Sequence, residues 1–275
     1  MGSLVVYSNE LNALVFKGFN DAELKLFFAI CSRLKGMGSE EVRFSYAYLR
    51  ELTKEKKHYT QVEYAEVIRQ MYHKLLGIRF VYEDKSKEGE INLFQGYEHS
   101  LTDHSFAISV TPKFAYMFNA LEQNFTIWSL EEFVEIPGIY GKQLYRFLKQ
   151  WRTVGYVSYK WSDFQTLMDI PETYESKDVT RRVVKPAVER LRKIYEFRDL
   201  EYGYRKSGKF IKSIYFKWTP EPKKYDRKIK EAMNEAKSRP LIGSKADQYI
   251  TYEDDPELVK QIVEHDRQIA ANDKK

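Results

Sequence analysis

The 275-residue chain has a single cysteine, Cys31. That excludes a disulfide framework and any zinc site built on paired cysteines. In the apolar run Leu26-Phe27-Phe28-Ala29-Ile30-Cys31 the thiol reads as buried and inert. The histidines, His58, His73, His99, His104 and His265, are scattered, with no His-x-His. A metal-dependent nuclease working through one of the 21 tyrosines therefore lacks its metal site. His99 and His104, within Glu98-His99-Ser100-Leu101-Thr102-Asp103-His104, read as a turn. No apolar run reaches the length of a membrane span, and the N-terminus carries no basic-then-apolar signal segment. A cytoplasmic protein without a membrane partner is expected. Gly138-Ile139-Tyr140-Gly141-Lys142-Gln143 lacks both the glycine interval and the Ser or Thr after Lys that a phosphate loop needs. Lys142 reads as a surface residue of a helix's first turn. No cofactor, no metal and no catalytic function are expected.

What is present is enough apolar material for real cores, 43%, with aromatics at 15%. Aromatics suit half-buried strands as well as helix cores, which points to a mixed α+β fold. The net charge of +5 is unevenly placed. Residues 1–137 carry 15 Lys and Arg against 19 Asp and Glu; residues 138–218 carry 18 against 9; residues 219–275 carry 12 of each. Positive charge gathered into one segment is the electrostatic footprint of a nucleic-acid partner.

The two halves repeat one another. Placing Arg43-Phe44-Ser45-Tyr46-Ala47-Tyr48-Leu49-Arg50-Glu51-Leu52 over Ser158-Tyr159-Lys160-Trp161-Ser162-Asp163-Phe164-Gln165-Thr166-Leu167 aligns Phe44 with Tyr159, Tyr46 with Trp161, Leu49 with Phe164 and Leu52 with Leu167. One residue of further shift lays Val67, Ile68, Met71, Tyr72 and Leu75 over Val183, Val184, Ala187, Val188 and Leu191. Each half reads as an amphipathic helix (residues 21–35 and 140–153), a short strand (41–44 and 156–159), and a short helix opened by Ser45 or Ser162. A third helix (60–76 and 177–194) and a strand pair follow: 78–82 with 91–94, then 197–204 with 210–218. Asn20 or Asp21 can cap the first helix, with Glu23 close behind. Helix, strand, helix-turn-helix and hairpin make a winged helix. The expected architecture is two tandem winged-helix domains, residues 1–128 and 129–219, followed by a charged, mobile C-terminal tail, 220–275, with short helical stretches at 229–236 and 257–269.

In this motif the second helix of the turn enters the major groove. On the helix 177–194, Lys177, Thr180, Arg181 and Lys185 lie away from the apolar stripe, and Arg182 borders it. Arginine can bond guanine N7 and O6 together, so Arg181 is the expected base reader. Pro186 removes an amide and should kink or interrupt the helix. Arg205, Lys206 and Lys209 in the turn Arg205-Lys206-Ser207-Gly208-Lys209 are expected at phosphate or in the minor groove. In the first half, Lys54, Lys56, Lys57, Thr60 and Arg69 are the candidates for phosphate contact. The first wing, taken as residues 83–90, is mixed in sign.

Three stretches carry a resemblance. Tyr140-Gly141-Lys142-Gln143-Leu144-Tyr145-Arg146-Phe147-Leu148-Lys149 resembles the helix that opens the second domain of iteron-binding, theta-type plasmid replication initiators, with Gly141 in place of the usual Ala. Phe164-Gln165-Thr166-Leu167-Met168-Asp169-Ile170-Pro171 resembles their short helix and turn. Lys177-Asp178-Val179-Thr180-Arg181-Arg182-Val183-Val184-Lys185-Pro186-Ala187 resembles their recognition helix, with Val179 where Phe is common. The resemblance spans roughly residues 5–218. It implies binding to direct repeats in double-stranded plasmid origin DNA, opening of the duplex, and recruitment of the host replication initiator and replicative helicase. It also implies a monomer–dimer equilibrium through the first domain, with repression of the protein's own gene. A rolling-circle nicking initiator and a plain winged-helix repressor are the competing readings.

Overall fold

The structure, a computed structural model, describes residues 4–77, 79–83, 88–119 and 124–222. The expected tail helices, and residues 84–87 of the loop taken as the first wing, lie outside the described residues.

The chain opens with strand β1 (Leu4–Ser8) and a 3-10 turn (Asn9–Ala13). Helix α1 (Asp21–Cys31) starts at a capping box in which the Asn20 side chain takes the Glu23 amide and Glu23 returns to the Asn20 amide. Strand β2 (Glu41–Ser45) leads directly into α2 (Tyr46–Leu52), capped by Ser45. Helix α3 (Gln61–Leu75) begins at a second capping box, between Thr60 and Glu63. Four strands follow: β3 (Arg79–Glu83), β4 (Glu88–Asn92), β5 (Phe94–Ser100) and β6 (Ser105–Val110). Beyond a 3-10 segment (Pro112–Met117), β7 (Phe125–Ser129) pairs antiparallel with β1 and runs into α4 (Leu130–Glu135).

The second unit has α5 (Ile139–Gln150), β8 (Tyr156–Lys160) and α6 (Trp161–Leu167). Its third helix is continuous over residues 176–191: α7 (Ser176–Asp178), a π-helical turn (Val179–Val184) and α8 (Lys185–Leu191). Strands β9 (Glu201–Ser207) and β10 (Phe210–Lys217) complete it. Its sheet has the order β8-β10-β9, and the first unit's sheet has the order β2-β6-β5. Both units are winged helices of the same topology.

That topology corrects the expected first wing. The strand pair β3–β4 forms its own two-stranded sheet and is an insertion; the wing equivalent to β9–β10 is β5–β6, turning through residues 101–104. Both hairpins follow the third helix, and the long-range pairing of β6 with β2 decides between them. The reading of His99 and His104 as flanking a turn agrees with this placement; His104 takes a positive φ of 49°.

The repeat holds residue by residue. Tyr46 and Trp161 are each the first residue of a seven-residue helix. Two residues beyond each helix end the chain passes through a left-handed residue, Lys54 (φ 46°) and Asp169 (φ 50°). Ser162, expected as an N-cap, lies instead inside α6, whose cap position is Lys160 with no side-chain cap bond. The reason is register: Lys160, not Ser162, is the counterpart of Ser45 at the strand–helix junction. Pro186 does not break its helix. The widened turn before it, closed by the Lys185 amide on the Thr180 carbonyl, relieves the clash between its ring and the preceding turn.

One apolar core runs through both units. Phe28, Trp128, Phe133, Tyr145, Phe197 and Trp218 form a chain of ring contacts, with Trp128 stacked on Phe133 at 4.5 Å and Tyr145 edge-on to Phe197 at 5.9 Å. Such pairs contribute roughly 0.5–1.5 kcal/mol each beyond burial of area. Cys31 is fully buried, as expected. Among the described residues no helix is long and apolar enough to cross a membrane.

Helix α5 is buried on almost every side, which overturns the reading of Lys142 as a surface residue. The Lys142 ammonium donates to Asp21 Oδ1 at 2.6 Å and to the Ile136 carbonyl. Burial pulls its pKa down, and Asp21 opposes that shift. Arg146, fully buried, donates to the carbonyls of Leu11 (3.2 Å) and Leu14 (2.9 Å) and to Gln143 Oε1 (2.6 Å), with its guanidinium over the rings of Phe16 and Phe147. Desolvation brings its pKa down to about 10. Gly141, where the resembling family usually has Ala, sits so close to Ile136 that a Cβ would lie 2.8 Å from its Cγ2.

Candidate nucleic-acid interface

Helix 176–191 buries Val179, Val183, Val184, Ala187, Val188 and Leu191, a stripe that seats it on the core and fixes which side chains face out. Lys177, Arg181, Arg182 and Lys185 are all exposed, with Lys177 at 78% and Arg181 at 70% side-chain exposure. Four of the expected residues thus share one helix surface. Each has an acidic neighbour: Lys177 with Glu175 (2.9 Å), Lys185 with Glu189 (3.9 Å), and Arg181 (3.0 Å) and Arg182 (3.5 Å) both with Asp178 Oδ1. Pairs this exposed are weak in water, and a phosphate or base edge can displace them. Arg182 is held further: its guanidinium lies 5.1 Å from the Tyr174 ring centre, and a hydrogen bond to Tyr174 together with Asp178 raises its pKa. Asp178 was not singled out in the sequence, although its spacing of three and four to the two arginines is the signal for it.

Thr180 has a different position. Its hydroxyl donates to the Ser176 carbonyl (2.9 Å) and shares a hydrogen bond of 2.8 Å with the Tyr204 hydroxyl on β9. Tyr204 in turn meets Trp161 of α6 edge-to-face at 5.7 Å. These contacts lock the outward helix, the preceding helix and the wing into one body. Thr180 therefore ties the helix to the wing, and Tyr204 is the partner that sequence reading missed.

On the wing, Lys206 and Lys209 are exposed beside the turn, where Gly208 takes φ 58°. Arg205 is also exposed but reaches across the sheet to the Tyr156 hydroxyl at 3.0 Å. The structure thus places Lys206 and Lys209 together at the tip and Arg205 on the flank.

The first unit presents less. Lys54 Nζ is engaged by Glu135 (2.9 Å) and Glu131 (3.3 Å) of α4. Thr60 is committed to its capping box with Glu63, and Arg69 is ion-paired to Glu66 on its own helix. Lys56 and Lys57 are exposed in the turn, with Lys57 Nζ 4.5 Å from the Tyr59 ring centre. Of the five residues proposed there, only this adjacent pair forms an outward basic spot. Among the described residues no group of His, Cys, Asp and Glu could hold a metal ion.

Models of one protein family match the chain in two pieces. The WH1 part of the initiator replication protein matches residues 4–149, and the WH2 part of the initiator Rep protein matches residues 160–218. A curated relative from Bifidobacterium longum (strain NCC 2705), the probable replication protein rep, is 29% identical over 211 residues, covering 76% of this chain and 71% of that protein. Among solved structures, the Pi initiator protein, crystallised in complex with iteron DNA, aligns with a TM-score of 0.61 at 12% identity, covering 80% of this chain and 98% of that one. At that identity the likeness establishes the shared fold.

Proposed function

The chain belongs to the initiator replication protein family, its WH1 and WH2 parts matched in order over most of its length, and on that premise we propose how it engages an origin. It binds direct repeats in double-stranded plasmid origin DNA, with helix 176–191 in the major groove and the β9–β10 wing along the backbone. Arg181 reads a base edge in this proposal, and Lys177, Arg182 and Lys185 hold register on phosphates. Lys206 and Lys209 bind phosphate at the wing tip, and Lys56 and Lys57 add a weaker contact from the first unit. The observation that carries the reading is one rigid body, helix bonded to wing through Thr180 and Tyr204, with its cations turned outward. A preorganised surface binds without the entropy of assembling it.

We propose a functional division of the chain into a first unit (1–128), a reading unit (129–219), which takes in α4 and α5, and a tail (220–275). The protein acts by binding rather than by chemistry, in the cytoplasm, where it would present the opened origin to the host initiator and helicase. Dimerisation through the first unit, with repression of its own gene, extends the same reading. Incubation with supercoiled origin DNA and magnesium should leave the DNA intact; nicking would return the rolling-circle class.

The direct test is affinity for the repeat-bearing duplex against a scrambled one across a salt series. Log affinity should fall with log salt by about 0.9 per neutralised phosphate. Lys206→Ala should weaken both duplexes alike and reduce that slope by about one contact. Equal binding of the two duplexes at every salt concentration would remove the reading.

A further inference from the structure

The wing tip carries one side chain that phosphate binding does not use. Phe210, opposite Ser207 in the β9–β10 register, is 64% exposed and is not a member of the apolar core. A lone exposed apolar residue is ordinary on a protein surface. This one differs in its surroundings: Lys206, Lys209 and Lys212 are exposed about it, and Lys209 Nζ lies 5.5 Å from its ring centre. A phenyl ring this exposed at the end of a hairpin leaves most of its apolar surface outside the protein, whereas the lysines about it match two lines of phosphate with an apolar base stack between them.

We propose that Phe210 is an apolar wedge that enters a base-pair step of the bound duplex from the minor groove and unstacks it, while the flanking lysines hold the phosphates on either side. Side chains of this kind, inserted between base steps, kink and loosen DNA in minor-groove binders. The wedge gives the binding surface a means of weakening the duplex where it is bound. The inference rests on the origin-binding reading above and assigns it a step that helix 176–191 does not perform. The first unit supplies a control within the molecule. Its wing tip also exposes an apolar residue, Leu101 at 60%, but the neighbouring Asp103, whose carboxylate accepts from Ser100 Oγ at 2.7 Å, puts a negative charge where phosphate would lie.

The test uses the full chain and a duplex it selects from a random pool, with the fluorescent base 2-aminopurine placed singly along the site. The native protein should raise fluorescence at one step beneath the second wing. Phe210→Ala should lose most of that rise while keeping its discrimination against a scrambled duplex; Phe210→Tyr should keep the rise, and Leu101→Ala should leave it unchanged. If Phe210→Ala keeps the rise, or if the native protein binds with discrimination and no position brightens, the wedge is wrong and the binding reading stands. If the pool yields no preferred duplex, the origin-binding reading falls first and takes the wedge with it.

Discussion

The two winged helices match in backbone and diverge in surface. Both turns pass through a left-handed residue, and both third helices bury the same stripe, Ile68, Met71, Tyr72 and Leu75 in one and Val184, Ala187, Val188 and Leu191 in the other. Outside that stripe α3 presents Gln61, Glu63, Gln70 and His73, with Arg69 neutralised by Glu66, whereas helix 176–191 presents Lys177, Arg181, Arg182 and Lys185. The left-handed residues diverge too: Lys54 is turned onto α4, and Asp169 accepts the Gly18 amide at 2.7 Å, joining the second unit to the first. Core positions are constrained by packing and so repeat; outward positions are not, and in this chain they are mostly uncharged or acidic on α3 and basic on helix 176–191.

The largest expected effect comes from separating the two units. Arg146→Ala strands the carbonyls of Leu11 and Leu14 and opens a cavity between Phe16 and Phe147. A loss of about 3–5 kcal/mol is expected, read as a lowered midpoint in urea. Unchanged stability would mean that Arg146 does not hold the units together.

Next is the contrast between the two surfaces. Arg181→Ala should cost about 1–3 kcal/mol of discrimination between specific and scrambled duplex. Arg69→Ala, already paired to Glu66, should cost below about 0.5 kcal/mol. Equal losses would mean that both units read sequence.

A smaller effect tests the junction by pH. Glu132, hydrogen-bonded by the Tyr145 hydroxyl, is half-buried, and desolvation pushes its carboxyl from 4.5 up to about 7. A raised folded-state pKa contributes stability below pH 4.5 that is lost as pH rises through about 7. Glu132→Gln should abolish that decline and leave the variant more stable than the native protein at alkaline pH by about 1–3 kcal/mol. Thermal midpoints measured across this range check it; parallel curves for the two proteins would refute it.

The smallest effect would bring the two surfaces closer. Glu66→Gln removes an anion from α3 and releases Arg69, so affinity for any duplex should rise at low salt by a few tenths of a kcal/mol. The gain should vanish at high salt, where exposed charges are screened.

Much of this was legible beforehand, for reasons visible in particular residues. The Asn20–Glu23 box is local, and a helix start can be read from four residues. The offset that laid Tyr46 over Trp161 held because seven-residue helices repeat without gaps. The outward cations of helix 176–191 followed from its valine stripe. What failed was non-local. The first wing was assigned to β3 and β4 because nothing within a hairpin shows which strand it will join. Lys142 looked like a surface residue because its burial depends on α1 and the segment after α4 closing over it. The bond from Thr180 to Tyr204 was equally out of reach, because Tyr204 lies on a strand that begins after the helix has ended.

The sequence by itself determined a duplicated helix-turn-helix plan, the apolar positions that build each copy, and the concentration of positive charge in the second. These are properties of spacing and composition, and they survive whatever the chain packs against. Only the tertiary structure decided which hairpin is the first wing and which carboxylates, carbonyls or rings each cation meets. It also decided that α5, polar by composition, would be the buried joint between the units. A cation's role depends on the carboxylates and carbonyls that long-range folding brings within a few ångströms of it, and sequence order does not contain those distances.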